Sequence, residues 1–188
     1  MTPLISLANF IDRISRSLGL LTAWLTLTMT LLGALNALAR YAGRFLGVEL
    51  SSNAYLELQW YLFAMVFLLG AAETLREQGH VRVDVLYARF PPRMQRLLDL
   101  FAMLALLLPF CGVGFWMSLP SVQSSWAVLE QSPDPGGLPR YPIKTLLPIA
   151  FVILGLQGIA QALKDVVALV SGPQAVPPLT PPETPTHG

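Results

Sequence analysis

Between Arg16 and Arg40 the chain carries no charged residue. As an α-helix the run 17–39 reaches about 35 Å at about 1.5 Å per residue, enough to cross a hydrocarbon layer about 30 Å thick. Three further uncharged blocks follow. Residues 58–72, LQWYLFAMVFLLGAA, lie between Glu57 and Glu73 and extend about 22 Å. The block after Asp99 stays uncharged to Leu129, with Pro120 limiting the expected helical part to 100–119. The last, 145–163, lies between Lys144 and Lys164 and extends about 28 Å. Four blocks of this kind have no place in a water-soluble core. Composition agrees: 54% of the 188 residues are hydrophobic and 12% charged, where a soluble domain carries about 25% charged residues.

The expected fold class is therefore an all-α membrane protein with four transmembrane helices, over about 17–39, 54–75, 97–119 and 143–164, together forming one domain over 17–170. Ahead of it, Leu4, Leu7, Ala8, Ile11, Ile14 and Leu18 recur at helical spacing between Asn9, Asp12, Arg13 and Arg16. That pattern predicts an amphipathic interfacial helix over 1–16. The apolar stretch behind Arg13 and Arg16 is too long for a signal-peptide core, so no cleavage at Ala37–Ala39 is expected. At the other end, residues 171–188 hold six prolines and one acidic residue, Glu183, and are expected to be a disordered tail.

Loop charges set the expected orientation. Arg13, Arg16, Arg76, Arg82, Arg89, Arg93, Arg96 and Lys164 fall on one side, against Arg40, Arg44, Arg140 and Lys144 on the other. The richer side is cytoplasmic by the positive-inside rule, which puts both termini in the cytoplasm. On that side, Asp84 can cap a short amphipathic helix running to Phe90, with Pro91 and Pro92 opening the next span. The opposite loop contains Pro133, Pro135, Gly136, Gly137, Pro139 and Pro142, a density that forbids regular structure and implies a compact turn.

Several functional classes drop out. The formal net charge is +1, so no electrostatic footprint for nucleic acid exists. A single cysteine, Cys111, and two histidines, His80 and His187, supply neither a thiolate metal site nor paired haem ligands. No cofactor is expected. No Asp, Glu, Lys, Arg or His lies inside any of the four blocks, whereas ion coupling and transport of charged solutes call for such groups near the midplane. Among the polar residues that lie there, besides several threonines in the first block, Asn36, Gln157 and Gln161 suit interhelical hydrogen bonding, and Gly33, Gly70, Gly155 and Gly158 suit close helix packing. Glu57 and Glu73 are about 24 Å apart on one helix, too far to share a substrate. They are either interfacial residues at its two ends or contacts to another subunit.

Three stretches carry a resemblance: ELQWYLFAMVFLLGAAETLREQGHVRVDVLY, with GHVRVD its most specific part; PGGLPRYPIKTLLPIAFVILGLQGIA; and the amphipathic start before four spans. From about Ile11 to Val170 the chain resembles the small membrane subunit, the DctQ family, of tripartite ATP-independent periplasmic (TRAP) transporters. The resemblance implies a bacterial inner-membrane protein paired with a large membrane subunit that carries substrate and sodium sites, and served by a periplasmic solute-binding protein. The small subunit would scaffold the large one for sodium-coupled, binding-protein-dependent solute uptake. It implies no enzyme activity. In that frame Glu57, Trp60, Glu73, His80, Arg82 and Asp84 are candidates for subunit contact or bracing, and Arg140 and Lys144 for the face that docks the binding protein. Two other classes compete with this reading. An autonomous small multidrug-type transporter working as a dimer would depend on Glu57. A membrane enzyme would need a nucleophile–base pair, which Cys111 and His80 do not form.

Overall fold

The structure is a computed structural model that describes residues 2–48, 52–77, 87 and 89–171. Within them are four long helices, each apolar enough to cross a membrane, and no strand. We label them α1 (Thr2–Leu46), α2 (Asn53–Arg76), α3 (Pro92–Ala127) and α4 (Tyr141–Ser171). His80, Arg82 and Asp84, most of the expected short helix over 84–90, and the tail beyond residue 171 lie outside the described residues.

Helix α1 is one uninterrupted element of 45 residues. The segment expected to be a separate helix over 1–16 is its first third, with no break before the uncharged run. Its apolar stripe is divided between two surroundings: Ala8 and Ile11 are buried against Ala160 of α4, while Leu4, Leu7 and Ile14 are exposed. The helix also outlasts the uncharged run, so that Arg40 and Arg44 stand on its last two turns. It stops at Gly47, whose φ of +67° opens a left-handed cap, and the Val48 N–H donates to the Gly43 carbonyl at 3.2 Å. Four threonines of α1 hydrogen-bond within their own helix. Thr22, Thr26, Thr28 and Thr30 each donate to a carbonyl three or four residues earlier, which removes their hydroxyls from the lipid.

Ser52 starts α2 by accepting from the Ala54 N–H at 3.2 Å. Helix α3 starts where the proline pair led us to expect and departs from expectation at its far end. Pro92 opens it, and it continues through Pro120 to Ala127, not ending near residue 119. A proline removes one backbone bond and crowds the previous turn, yet a spanning helix persists because the bilayer offers the other backbone groups no alternative partner. The second proline of this helix leaves a visible mark. The turn Ala102–Leu107 is π-helical, and the Leu108 N–H donates five residues back, to Met103. Pro109 has no N–H to direct at Ala105, and the widened turn before it takes up the misfit.

The fourth helix is the hub. It packs against α1, α2 and α3, whereas α3 has no broad contact with α1 or α2. Small residues permit the approach: a Cβ on Gly114 would come within 2.5 Å of the Phe151 ring, and one on Gly158 within 2.7 Å of Leu107. The Phe110 and Phe151 rings meet edge to face at 5.7 Å. Outward, α1 presents Leu20, Trp24, Leu31, Leu35 and Leu38, all exposed, as a chain immersed in hydrocarbon must.

Candidate functional site

Polar chemistry is collected at the two ends of the bundle. At the end formed by the α3–α4 connection, Glu57 sits in the second turn of α2 and is only 3% exposed. Its two carboxylate oxygens are both taken: the Ser132 hydroxyl donates to one and the Leu138 N–H to the other. Tyr61, one turn further along α2, donates to the Pro139 carbonyl at 3.1 Å. The Asn53 amide donates to the Pro135 carbonyl at 3.0 Å. Three side chains from one face of α2 thus hold the proline-rich loop by its backbone. Gly137 makes the fit possible, because a Cβ there would lie 2.5 Å from Ser132 and 2.6 Å from a Glu57 oxygen. Gly136 supplies the turn, with φ +71°.

The same loop is tied to its own flanking helices. Helix α3 ends in a Schellman cap: the Glu130 N–H donates to Ser125 at 3.0 Å and the Leu129 N–H to Trp126 at 3.3 Å. The left-handed position is Leu129, φ +46°, where glycine is usual. The cap aims Glu130 back at the bundle, where it accepts from Ser125 at 2.6 Å and pairs with Lys144. These donors, with the Arg140 charge nearby, hold the Glu130 carboxyl below its ordinary value of 4.5. Its backbone carbonyl accepts from the Arg140 N–H at 2.8 Å. Trp126 donates to Thr145 at 2.8 Å and meets Tyr141 edge to face at 4.6 Å. The Arg140 guanidinium stands 6.0 Å from the ring centre of Trp60, which is 45% exposed.

At the opposite end a second network joins α1 to α4. Gln157 is fully buried; it accepts from Ser15 at 2.7 Å and donates to Asp12 at 3.0 Å. Asp12 also pairs with Lys164. Glu73 receives two hydrogen bonds from Arg76, at 2.7 and 2.8 Å, and lies across Gly19 of α1, where a Cβ would come within 2.5 Å of it. Asp165, almost wholly buried, is 3.6 Å from Arg96 of α3. Tyr87, from the chain between α2 and α3, donates to Asp99 at 2.6 Å.

Of the candidates read from the sequence, Glu57, Trp60, Arg140 and Lys144 come together at the loop end, and Glu73 stands alone at the other. His80, Arg82 and Asp84 fall outside the described residues. Sequence reasoning missed Glu130 and Ser132, which sit in a loop whose glycines and prolines drew all the attention. It also missed Asp12 as a partner of α4, having assigned it to the polar face of an interfacial helix. Among the described residues no group of three metal-ligating side chains occurs. The carboxylates of Asp12, Glu57, Glu73 and Glu130 are engaged as hydrogen-bond acceptors, which equips them to hold helices and loop in one arrangement.

The family described as "Tripartite ATP-independent periplasmic transporters, DctQ component" matches residues 29–168. Neither a curated protein nor a solved structure matches the chain.

Proposed function

Because the chain belongs to the DctQ component family of tripartite ATP-independent periplasmic transporters, we propose that it is the small permease subunit that scaffolds the large membrane subunit for sodium-coupled, binding-protein-dependent solute uptake. The observation that carries this reading is the distribution of charge. Ionisable groups stand at the helix ends and tie elements of this chain to each other, as in Glu57 with the loop, Glu130 with Lys144 and Asp12 with Lys164. The interiors of the spans hold none. A chain so built braces well and is poorly equipped to couple an ion gradient by itself. The competing dimeric transporter needs Glu57 free to meet a substrate, and both of its oxygens are occupied by the loop.

In this reading both termini are cytoplasmic in a bacterial inner membrane, and the loop 128–140 faces the periplasm with Arg140 and Lys144 toward the binding protein. Trp60, half-exposed and backed by Arg140, is the side chain best placed to meet the large subunit beside the loop. Glu57 and Glu73 brace the chain internally. The test is co-expression with the large membrane subunit of the same transporter, followed by affinity purification and an uptake assay with the binding protein. Stoichiometric co-purification and uptake that needs both membrane chains are expected. Recovery of this chain alone, with uptake unchanged when it is deleted, would overturn the proposal.

A further inference from the structure

A cleft of about 280 Å³ opens between α1 and α2 at the loop end of the bundle, lined by Gly33, Asn36, Arg40, Arg44, Leu56 and Gln59 among others. Asn36, Arg40 and Arg44 follow one another at intervals of four, so they stand on one face of α1. On its floor the Gln59 side chain of α2 packs where Gly33 lacks a Cβ, which would come within 2.5 Å of it. Below the arginines, Asn36 is 5% exposed and its Oδ1 has no hydrogen-bond partner. A buried amide without a partner is costly in any medium and more so beside hydrocarbon. Above it, two guanidinium groups repel each other one turn apart, and among the described residues neither has an acidic partner. All three defects are remedied by one ligand that offers an anion at the level of the arginines and a further polar atom deeper along the helix.

We propose that this cleft binds a membrane phospholipid, its phosphodiester held by Arg40 and Arg44 and an ester carbonyl accepting from the Asn36 amide. Arg44 and Asn36 are about 12 Å apart along the helix axis, with Arg40 between them. A compact anion or a partner carboxylate reaches the arginines and leaves Asn36 unsatisfied. A phospholipid extends through both levels and continues as an acyl chain over the apolar flank at Gly33 and Leu56. A half-turn of the side chain puts Nδ2 in the buried place of Oδ1, and from there the amide N–H₂ donates to the ester carbonyl while Oδ1 moves to the former place of the nitrogen. Guanidinium forks suit a phosphate better than a lysine would.

The full-length chain, purified in a neutral maltoside detergent, is titrated with dioleoylphosphatidylglycerol under native mass spectrometry. One retained lipid per chain is expected. In the R40Q/R44Q variant its affinity should fall about thirtyfold, from the loss of two cations near an anionic headgroup. The Asn36→Leu variant should lose about fivefold from the missing amide contact. Unchanged affinity in both overturns the proposal, as does displacement of the lipid by inorganic phosphate at equal concentration, which would mark a free-anion site. To keep the test independent of variant folding, a photoactivatable phosphatidylglycerol is added to the unaltered chain. Labelling of peptides that carry residues 33–44 and 56–59 supports the site, and labelling confined to other helices overturns it. A cross-link from Arg44→Cys to an acidic segment of the large subunit in the co-purified complex, with no lipid retained, assigns the arginines to that subunit and overturns it too.

Discussion

Glu57 and Ser132 are separated by 75 positions, and the Ser132 hydroxyl donates directly to the Glu57 carboxylate. The other oxygen of the same carboxylate takes the Leu138 N–H. One acidic side chain on α2 therefore closes the loop between α3 and α4 from both of its limbs. The loop's prolines restrict its shape, and the carboxylate selects where that shape sits. Because bonds to a charged group are stronger than those to a neutral one, the Glu57 contacts can be tested by a change that keeps size and removes the charge.

Glu57→Gln places an N–H₂ group where one of the two acceptors stood. With its oxygen toward the Leu138 N–H, the amide turns its N–H₂ toward Ser132, whose hydroxyl then has to accept; two bonds to a charged carboxylate become neutral ones, and the chain should lose about 1–2 kcal/mol of stability. Cleavage by trypsin after Arg140 in detergent should accelerate, while the helical circular dichroism stays as in the parent. An unaltered cleavage rate would mean that the loop is held without Glu57.

Leu129 occupies a left-handed position at the end of α3, φ +46°, with its side chain 56% exposed. Leu129→Gly should stabilise the chain by about 1 kcal/mol through relief of backbone strain. Thermal unfolding in detergent measures it. A lower melting temperature would show that the exposed leucine makes a contact worth more than the strain.

Gln157 lends α4 both an acceptor for Ser15 and a donor for Asp12. Gln157→Leu leaves both groups of α1 without that partner and should cost about 2 kcal/mol. In a double-mutant cycle with Ser15→Ala the coupling should be about 1 kcal/mol. Strict additivity would mean that the two side chains do not interact in the membrane.

Glu130 titrates below its ordinary value of 4.5 because Lys144 and Ser125 favour its charged form. A depressed carboxyl stabilises the folded loop above the unfolded value and loses that contribution as pH falls through the folded one. Acidification below about pH 4.5 should therefore loosen the cap beside Trp126, seen as a change in its fluorescence. Glu130→Gln should remove this step, and a Glu130→Gln protein that retains the full transition would assign it to another carboxyl.

The number and type of the elements were legible in the uncharged blocks, since a backbone in hydrocarbon must bond to itself and a run of about 20 apolar residues has one way to do so. Helix ends were less so. Gly47 was available as a stop signal for α1 and would have placed Arg40 and Arg44 on the helix; at Leu129 no glycine marks the cap, so the end of α3 carried no such signal. Pro120 misled in the other direction, because the rule that proline ends a helix belongs to water.

The amino-acid sequence by itself determined that this chain has four apolar runs long enough to cross a bilayer and keeps charge out of the interior of each, because both follow from local composition and the length of a helix. Only the tertiary structure decided which charge meets which. Glu57 finds Ser132, Asp12 finds Lys164 and Asn36 is left facing a cleft because α4 packs on all three other helices and fixes their depths and rotations. Those are relations between segments far apart in the chain, carried by small-residue contacts and buried hydrogen bonds, and no local pattern encodes them.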